Sequence, residues 1–167
     1  FGENRVQDAY AKYSKKIIND KNIKLHLIGP LQTNKVKVAL NLFDTIQTLD
    51  REKLVDEIVK EKKKNKTITN NFYIQINIGK EKQKNGIDES QIEKFYEYCL
   101  SSKLNIIGFM CIPPNDENTQ SYFSRMILIR DQIKPSLKLS MGMSNDYLIA
   151  LKFKTNLIRI GSKIFKK

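Results

Sequence analysis

Ser140-Met141-Gly142-Met143-Ser144-Asn145-Asp146 is the stretch that decides the fold of this 167-residue chain, together with Arg159-Ile160-Gly161-Ser162 further along. In each stretch a short apolar run leads into Gly and Ser, and a predicted helix begins there. Such a strand, turn and helix are typical of parallel α/β folds, in which ligands bind at the carboxyl ends of the strands. The sequence therefore predicts one βα unit at each of these two turns.

The same alternation extends outward along the chain. Apolar runs of strand length stand at residues 24–28, 43–48, 72–78, 105–112, 137–141 and 156–160. Helical spacing separates them: Leu54, Val55, Ile58 and Val59 share one face, and an earlier segment has Val6, Ala9, Tyr10, Tyr13 and Ile17. Alternating strands and helices predict an α/β fold with a parallel sheet.

Chain length limits the architecture without deciding it. An eight-unit barrel needs about 250 residues, and six units of about 31 would need about 187, close to the length of this chain. The residues alone leave two alternatives open, an incomplete (β/α) barrel and a complete open, doubly wound sheet. The length favours a single domain over residues 1–167.

The two Gly and Ser turns have the chemistry of an anion site. Backbone N–H groups, hydroxyls and a helix start together suit a phosphate. Capping and turn formation alone would explain either turn separately, but the pair with Arg159 nearby favours phosphate binding. Arg159 points away from Ile158 and Ile160, and its guanidinium needs a partner. That partner is an internal carboxylate, a ring nitrogen or an anionic ligand.

Composition narrows the class of protein. The net charge is +12, but 25 of the 30 cationic residues are Lys and only 5 are Arg, the residue that reads bases. We therefore expect a solvated lysine-rich surface and no nucleic-acid partner.

Two cysteines, Cys99 and Cys111, are too few for a disulfide framework and indicate a reducing, cytoplasmic location. No apolar run approaches the roughly 20 residues that cross a bilayer, so no membrane association is expected.

Metal and nucleophile chemistry find no support in these residues. His26 is the single histidine, and a lone histidine on a strand is more typical of a core residue than of a catalyst. With one histidine and no Cys-x-x-Cys spacing, we predict neither a metal site nor a Cys–His pair.

Several further motifs carry a family resemblance. Phe1-Gly2-Glu3-Asn4 opens the chain, and His26-Leu27-Ile28-Gly29-Pro30 begins a second signature. Ile76-Asn77-Ile78, Lys84-Asn85-Gly86, Gly108-Phe109-Met110-Cys111-Ile112-Pro113-Pro114 and the two turns follow in order. Over essentially its whole length the chain resembles the pyridoxal phosphate homeostasis protein family, which is related to the barrel domain of alanine racemase.

The resemblance implies a (β/α)8 TIM barrel that binds pyridoxal 5′-phosphate. It also implies a role in intracellular cofactor homeostasis without racemase or other enzymatic activity. Matched by position, Ser144, Gly161 and Ser162 would hold the phosphate, and Arg159 would approach the pyridine nitrogen. Nearer the ring would lie Asn4, Asn77 and Met141, with Lys84 in a mobile loop beside the site.

The chain also departs from the family pattern. The family lysine that holds the cofactor aldehyde as a Schiff base stands on the first strand, which precedes Phe1, so we assign no catalytic residue. We expect an N-terminally truncated barrel of about six βα units that lacks the first strand and helix. Expected partners are pyridoxal phosphate and the apo-enzymes that receive it, and the complete protein is expected to be a monomer. The alternatives are a pyridoxal phosphate-dependent amino-acid racemase and a lysine-rich nucleic-acid-binding module.

Overall fold

The computed structural model describes residues 1–13 and 22–165. Within them the strands are β1 (Gly2–Glu3), β2 (His26–Leu27), β3 (Thr45–Leu49), β4 (Asn71–Ile76), β5 (Ile106–Cys111), β6 (Lys138–Met143) and β7 (Leu157–Arg159). The helices are α1 (Val6–Tyr13), α2 (Val36–Leu40), α3 (Glu52–Lys64), α4 (Ile92–Ser101), α5 (Thr119–Ile133), α6 (Tyr147–Lys152) and α7 (Ser162–Phe165). Short 3₁₀ turns at Thr33–Lys35 and Glu89–Gln91 precede α2 and α4.

All seven strands are parallel and neighbour one another in chain order. The predicted α/β alternation is confirmed, and each of the six predicted strands is present. The seventh, β1, was not predicted because Gly2 and Glu3 form no apolar run. Backbone hydrogen bonds hold it in place, from His26 N to the Phe1 carbonyl at 2.8 Å and from Ile28 N to the Glu3 carbonyl at 3.0 Å.

The sheet curves into a nearly closed barrel. In a flat sheet β3 and β6, which are three strands apart, would lie about 14 Å from each other. Instead, Ser140 Oγ on β6 donates to Gln47 Oε1 on β3 at 2.6 Å. A side-chain bond of that length requires the strands to curve round a shared interior, which confirms the barrel and excludes the open sheet.

The two faces of the barrel wall differ in polarity, as strand alternation requires. On the outer face, Leu27, Ile46, Ile74, Phe109 and Leu139 belong to one apolar cluster with residues of the helices, and all five are fully buried. The inner face carries polar side chains instead, among them His26, Gln47, Gln75 and Ser140. The apolar core therefore lies between strands and helices, and the barrel interior is left for polar chemistry.

The helices follow the predicted faces with one exception. Leu54, Val55 and Ile58 of α3 are buried, as expected. In α1, Val6 and Ala9 are buried but Tyr10 is 56% exposed, so its assignment to the buried face is wrong. Ile17 lies outside the described residues. No helix in the described ranges has the length and apolar character required to cross a membrane.

Candidate functional site

A cavity of about 1030 Å³ opens at the carboxyl ends of the strands. Its wall includes all of β1, all of β7, the residues that follow β6 and the loop after β5. Small-molecule sites usually measure roughly 300–1,000 Å³. The cavity therefore has room for a ligand the size of a nucleotide or a phosphorylated cofactor, at the position where parallel barrels bind ligands.

Five of the eight residues assigned from the sequence line this cavity: Asn4, Ser144, Arg159, Gly161 and Ser162. Asn4 lies near the start of the chain and Ser144 lies in the β6–α6 connection. The other three follow or end β7. The barrel thus brings together the turns that follow β6 and β7, which stand apart in sequence.

The turn after β6, residues 142–146, is held by backbone geometry and one carboxylate. Gly142 has a φ of +97°, and a Cβ there would lie 2.6 Å from the Cβ of Ala150. Asp146 Oδ1 accepts from Met143 N at 2.5 Å, and Asp146 N donates to the Met143 carbonyl at 3.1 Å. These contacts fix Ser144 at the apex of a tight turn that faces the cavity.

The turn after β7, residues 160–162, leads into α7. Ile164 N and Phe165 N both donate to the Gly161 carbonyl at 2.9 Å, so the helical hydrogen bonds begin there. The N–H groups of Ser162 and Lys163, which precede these bonds, have no partner within the helix. A Cβ on Gly161 would have no atom within 4 Å, which shows that open space adjoins this backbone. A ligand can therefore approach the main chain directly.

Arg159 extends from the end of β7 into the barrel interior. Its Nη1 donates to Ser140 Oγ and its Nη2 to the Cys111 carbonyl, both at 2.7 Å. Burial lowers the pKa of Arg159, and the Asp146 carboxylate is among the groups that oppose this shift. The expected alternative of an internal ion pair is not what we find, because neither anchor is a carboxylate. Within residues 1–13 and 22–165, the two groups that Arg159 contacts by hydrogen bonds carry no negative charge to neutralise it.

A second cation stands at the rim of the cavity. Lys12 Nζ lies 3.1 Å from Glu3 Oε1, and its side chain is 59% exposed. The hydrogen bond and charge of Glu3 raise the pKa of Lys12. Glu3 thereby lowers the fraction of Lys12 that is present as the free amine.

The backbone of Asn4 is placed by a close approach to the end of β2. A Cβ on Gly29 would collide with the main chain of Asn4, so only glycine permits this crossing. The Gly29 carbonyl in turn accepts a hydrogen bond from Thr48 Oγ1 at 2.9 Å. Gly29 thereby holds the β1–α1 junction against the cavity wall.

Three sequence-assigned residues do not line the cavity. Met141 is fully buried in the apolar cluster outside the barrel wall. Asn77 closes a turn by donating to the Glu81 carbonyl at 2.9 Å and accepting from Glu81 N at 3.2 Å. Lys84 pairs with Glu81 Oε2 at 2.5 Å and lies 3.4 Å from the carbonyl of Pro113, which is a cavity residue. Their roles near the cofactor ring stay predictions.

The lysine-rich end of α3 is engaged in local contacts. Lys60 pairs with Glu57 at 3.0 Å and Lys64 with Glu61 at 3.1 Å. Lys62 donates to the Thr69 carbonyl at 2.6 Å, and burial lowers the pKa of Lys62. These contacts agree with a solvated surface and supply no observation in favour of the nucleic-acid alternative.

Known proteins were compared with this sequence and fold. No protein-family model matches the chain. The pyridoxal phosphate homeostasis protein of Aquifex aeolicus is 36% identical over 174 residues, which cover 99% of this chain and 75% of that protein. The chain belongs to the pyridoxal phosphate homeostasis protein family. The Haemophilus influenzae member is 35% identical over 181 residues, covering 99% of this chain and 73% of that member.

Solved structures agree with this family membership. PipY of Synechococcus elongatus superposes with a TM-score of 0.86 at 28% identity, covering 99% of this chain and 80% of PipY. A second PipY structure has PLP bound and gives a TM-score of 0.81. Alanine racemase of Corynebacterium glutamicum, at 14% identity and a TM-score of 0.70, shares the fold, with 96% of this chain and 46% of the racemase covered. The resemblance read from the motifs is confirmed.

Among the cavity residues to which the sequence assigned no role in binding are His26 and Gln47, and Ser140 behind them was also unassigned. One signal could have found Gln47, because it interrupts the apolar run of β3 between Ile46 and Thr48. A polar amide inside a buried strand needs hydrogen-bond partners. Ser140 stands in the same motif as Ser144, and a role in binding was predicted for Ser144 alone. No group of three or more His, Cys, Asp or Glu in residues 1–13 and 22–165 could hold a metal ion.

Proposed function

We propose that this chain binds pyridoxal 5′-phosphate in the cavity and serves in intracellular cofactor homeostasis, without racemase activity. The proposal rests on one observation above all, that the turns after β6 and β7 converge with Arg159 on a single cavity. Relatives named pyridoxal phosphate homeostasis protein and the PLP-bound structure of PipY support the choice of ligand.

The residues present fit a phosphorylated pyridine cofactor. Ser144 and Ser162 supply hydroxyl donors, and Gly161 leaves its main chain open to an anion. Arg159 supplies a positive charge, and a guanidinium has further N–H donors beyond the two used on Ser140 and Cys111. We assign Ser144, Gly161 and Ser162 to the phosphate, Arg159 to the pyridine nitrogen and Asn4 to the ring side.

A guanidinium beside the ring bears on reactivity. Bound pyridoxal phosphate supplies an electron-withdrawing ring, and its strength depends on protonation of the pyridine nitrogen. A neighbouring cation disfavours that protonation. Arg159 beside the pyridine nitrogen would therefore weaken the ring as an electron sink.

The ionisable side chains that line the cavity are largely committed to other contacts. Glu3 and Lys12 pair with each other at 3.1 Å. Asp146 accepts from Met143 N, and His26 Nδ1 shares a hydrogen bond with Gln47. Tyr13 and Arg159 are the remaining ones, and burial raises the pKa of Tyr13, so its hydroxyl stays protonated near neutral pH. These commitments support a binding role in place of racemisation, which needs a free acid and a free base.

The first experiment tests whether phosphate drives binding. The purified protein is titrated with pyridoxal 5′-phosphate and, separately, with pyridoxal, and dissociation constants are measured by calorimetry. We expect the phosphorylated compound to bind at least about tenfold more tightly, a difference of about 1.4 kcal/mol. Equal affinities, or no binding of either compound, would exclude the proposed site.

Paired serine variants locate the phosphate. The Ser144→Ala/Ser162→Ala variant should lose most of the preference for the phosphorylated compound. The matched control is Ser121→Ala/Ser124→Ala, which removes two exposed hydroxyls from α5, neither of which lines the cavity. If both double variants bind equally well, the phosphate lies elsewhere.

Two further assays test the absence of chemistry. Incubation with cofactor and L-alanine, followed by chiral chromatography, should yield no D-alanine, and its formation would support the racemase alternative. Borohydride treatment of the protein with cofactor should label Lys12 less than it labels Lys12 in a Glu3→Gln variant, as read by mass spectrometry, because Glu3 raises the pKa of that amine.

We further propose a cytoplasmic location and apo-enzymes as recipients of the cofactor. Cys99 and Cys111 are buried and free, as is usual in a reducing compartment. Loaded protein mixed with a pyridoxal phosphate-dependent apo-enzyme should restore activity faster than the same amount of free cofactor. The monomeric state stays a prediction, which analytical ultracentrifugation would check.

A further inference from the structure

A row of hydrogen-bonded polar side chains crosses the barrel interior from β7 to β2. Arg159 Nη1 lies 2.7 Å from Ser140 Oγ, Ser140 Oγ lies 2.6 Å from Gln47 Oε1, and Gln47 Nε2 lies 2.8 Å from His26 Nδ1. Ser140 and Gln47 are fully buried. We call Arg159, Ser140, Gln47 and His26 the polar row. Three of its members, Arg159, Gln47 and His26, also line the cavity.

The donors and acceptors of the polar row run in one direction. A guanidinium only donates, so Ser140 Oγ accepts from Arg159 and has its own proton to give. That proton goes to Gln47 Oε1, since an amide oxygen only accepts. Gln47 Nε2 then donates to His26 Nδ1, which must be unprotonated. Neutral His26 therefore carries its proton on Nε2.

Because these side chains are buried, breaking one hydrogen bond of the polar row would leave a neighbouring group without a partner. A buried amide or hydroxyl that loses its partner is destabilised by desolvation, so each member depends on the next. Protonation of His26 on Nδ1 would set two donors against each other at Gln47 Nε2. Burial also lowers the pKa of His26, which keeps the ring neutral. The polar row thus couples the orientation of Arg159 to the tautomer of His26.

We propose that Gln47 is a positioning residue of the cofactor cavity: through Ser140 it fixes the guanidinium of Arg159, and through His26 Nδ1 it presents a neutral Nε2–H donor to an oxygen of the bound pyridoxal compound. This inference rests on the proposed function for the identity of the ligand. The hydrogen-bond direction rests on the structure alone. His26 is a binding residue in this scheme, and Gln47 acts through its two neighbours.

The tautomer can be observed directly because His26 is the only histidine in the chain. Two-bond ¹H–¹⁵N correlation spectra of ¹⁵N-labelled protein contain one imidazole pattern. We expect Nδ1 to resonate as an unprotonated, pyridine-like nitrogen and Nε2 as a protonated one. A protonated Nδ1 in the wild-type protein would overturn the proposed direction of the polar row.

Substitutions of Gln47 test the coupling. Gln47→Glu replaces the donor to His26 with an acceptor, so His26 should change to a form protonated on Nδ1. Gln47→Leu removes both hydrogen bonds and should leave His26 as a mixture of tautomers. The matched control is Gln75→Leu on β4, another buried glutamine, whose Nε2 donates to the Asn85 carbonyl at 3.1 Å, outside the polar row. It should retain the wild-type imidazole pattern, and if Gln47→Glu does so too, the coupling is absent.

Cofactor binding separates positioning from a purely structural role. With folding verified by circular dichroism, Gln47→Leu should weaken pyridoxal phosphate binding about tenfold, equivalent to about 1.4 kcal/mol. Gln75→Leu should bind as the wild type does. Wild-type affinity in Gln47→Leu, alongside the expected tautomer change, would overturn the positioning role. Failure of the wild-type protein to bind would instead count against the proposed function, and the imidazole spectra would still decide the hydrogen-bond direction.

Discussion

Strands β3 to β5 form one region of the barrel, and strands β7 and β1 with the segments that follow them form a second. The two regions differ in strand length and in burial. The first three have five or six residues each, and every residue of β3 is buried. By contrast, β7 has three partly exposed residues and β1 has two. The long strands bury large side chains such as Phe72 and Phe109, whereas the short ones end in turns that line the cavity. The region of long strands thus contributes the buried packing, and the region of short strands contributes cavity residues.

Removal of one aromatic ring from each region should give the largest contrast. Phe109 on β5 is fully buried and packs edge-on against Tyr96, with ring centroids 6.2 Å apart. Phe109→Ala should lower the free energy of unfolding by about 3–5 kcal/mol. Phe165 of α7 is 77% exposed, so Phe165→Ala should change it by less than about 0.5 kcal/mol. Urea denaturation measures both, and similar losses would contradict the division of the wall.

Substitution of one glycine in each region should give a smaller difference in stability. A Cβ on Gly108 of β5 would collide with the Lys138 carbonyl and the Tyr73 ring, whereas one on Gly161 would enter open space. We expect Gly108→Ala to destabilise the fold by about 1–3 kcal/mol through overpacking. Gly161→Ala should leave stability within about 0.5 kcal/mol of wild type but weaken pyridoxal phosphate binding. Thermal melts and calorimetric titrations distinguish the two effects.

Lowering the pH should reduce the free energy of unfolding through protonation of His26. Burial lowers the pKa of His26, opposed by Asp44, so the folded value lies below the unfolded value of about 6.5. Between those values the unfolded chain binds more protons, and stability therefore rises with pH. The contribution of His26 is complete above about pH 6.5 and is lost as the pH falls through the folded value. Urea titrations across this range should show the loss, and His26→Gln should abolish it.

Thiol labelling should show the smallest effect, and it tests the burial of the region that contains β5. Burial raises the pKa of both Cys99, on α4, and Cys111, at the end of β5, to about 12. At about pH 8, near the ordinary thiol pKa, neither should react with Ellman's reagent until the protein unfolds. Rapid reaction of Cys111 alone would show that the end of β5 opens more readily than α4.

The sequence predicted the well-buried strands and the turns better than it predicted the cavity interior. Runs such as 72–78 and 105–112 are recognisable because burial on both faces selects apolar residues throughout a parallel strand. Ser144 and Gly161 were found because turns demand particular residues. β1 was missed because two residues paired only through their backbone leave no side-chain pattern.

The interior residues were missed for a different physical reason. Gln47 and Ser140 contact each other across strands that are not adjacent, and Ser140 contacts Arg159 from 19 residues away in the chain. No local period or motif encodes such a contact. Tyr10 shows the complementary error, since helical spacing cannot tell a buried aromatic from one left at the edge of a face.

The bond between Ser140 and Gln47 joins residues 93 positions apart in the chain. Contacts of such long sequence separation carry a large loop-closure entropy and tend to form late during folding. β3, β4 and β5 pair between consecutive segments and can assemble before the last third of the chain joins them. We therefore expect the region of β3 to β5 to fold before the region of β7 and β1. In a pulsed hydrogen-exchange experiment the amides of β4 and β5 should become protected first. The cofactor cavity would then be the last part of the molecule to form, and a chain still folding would have no place to hold its ligand.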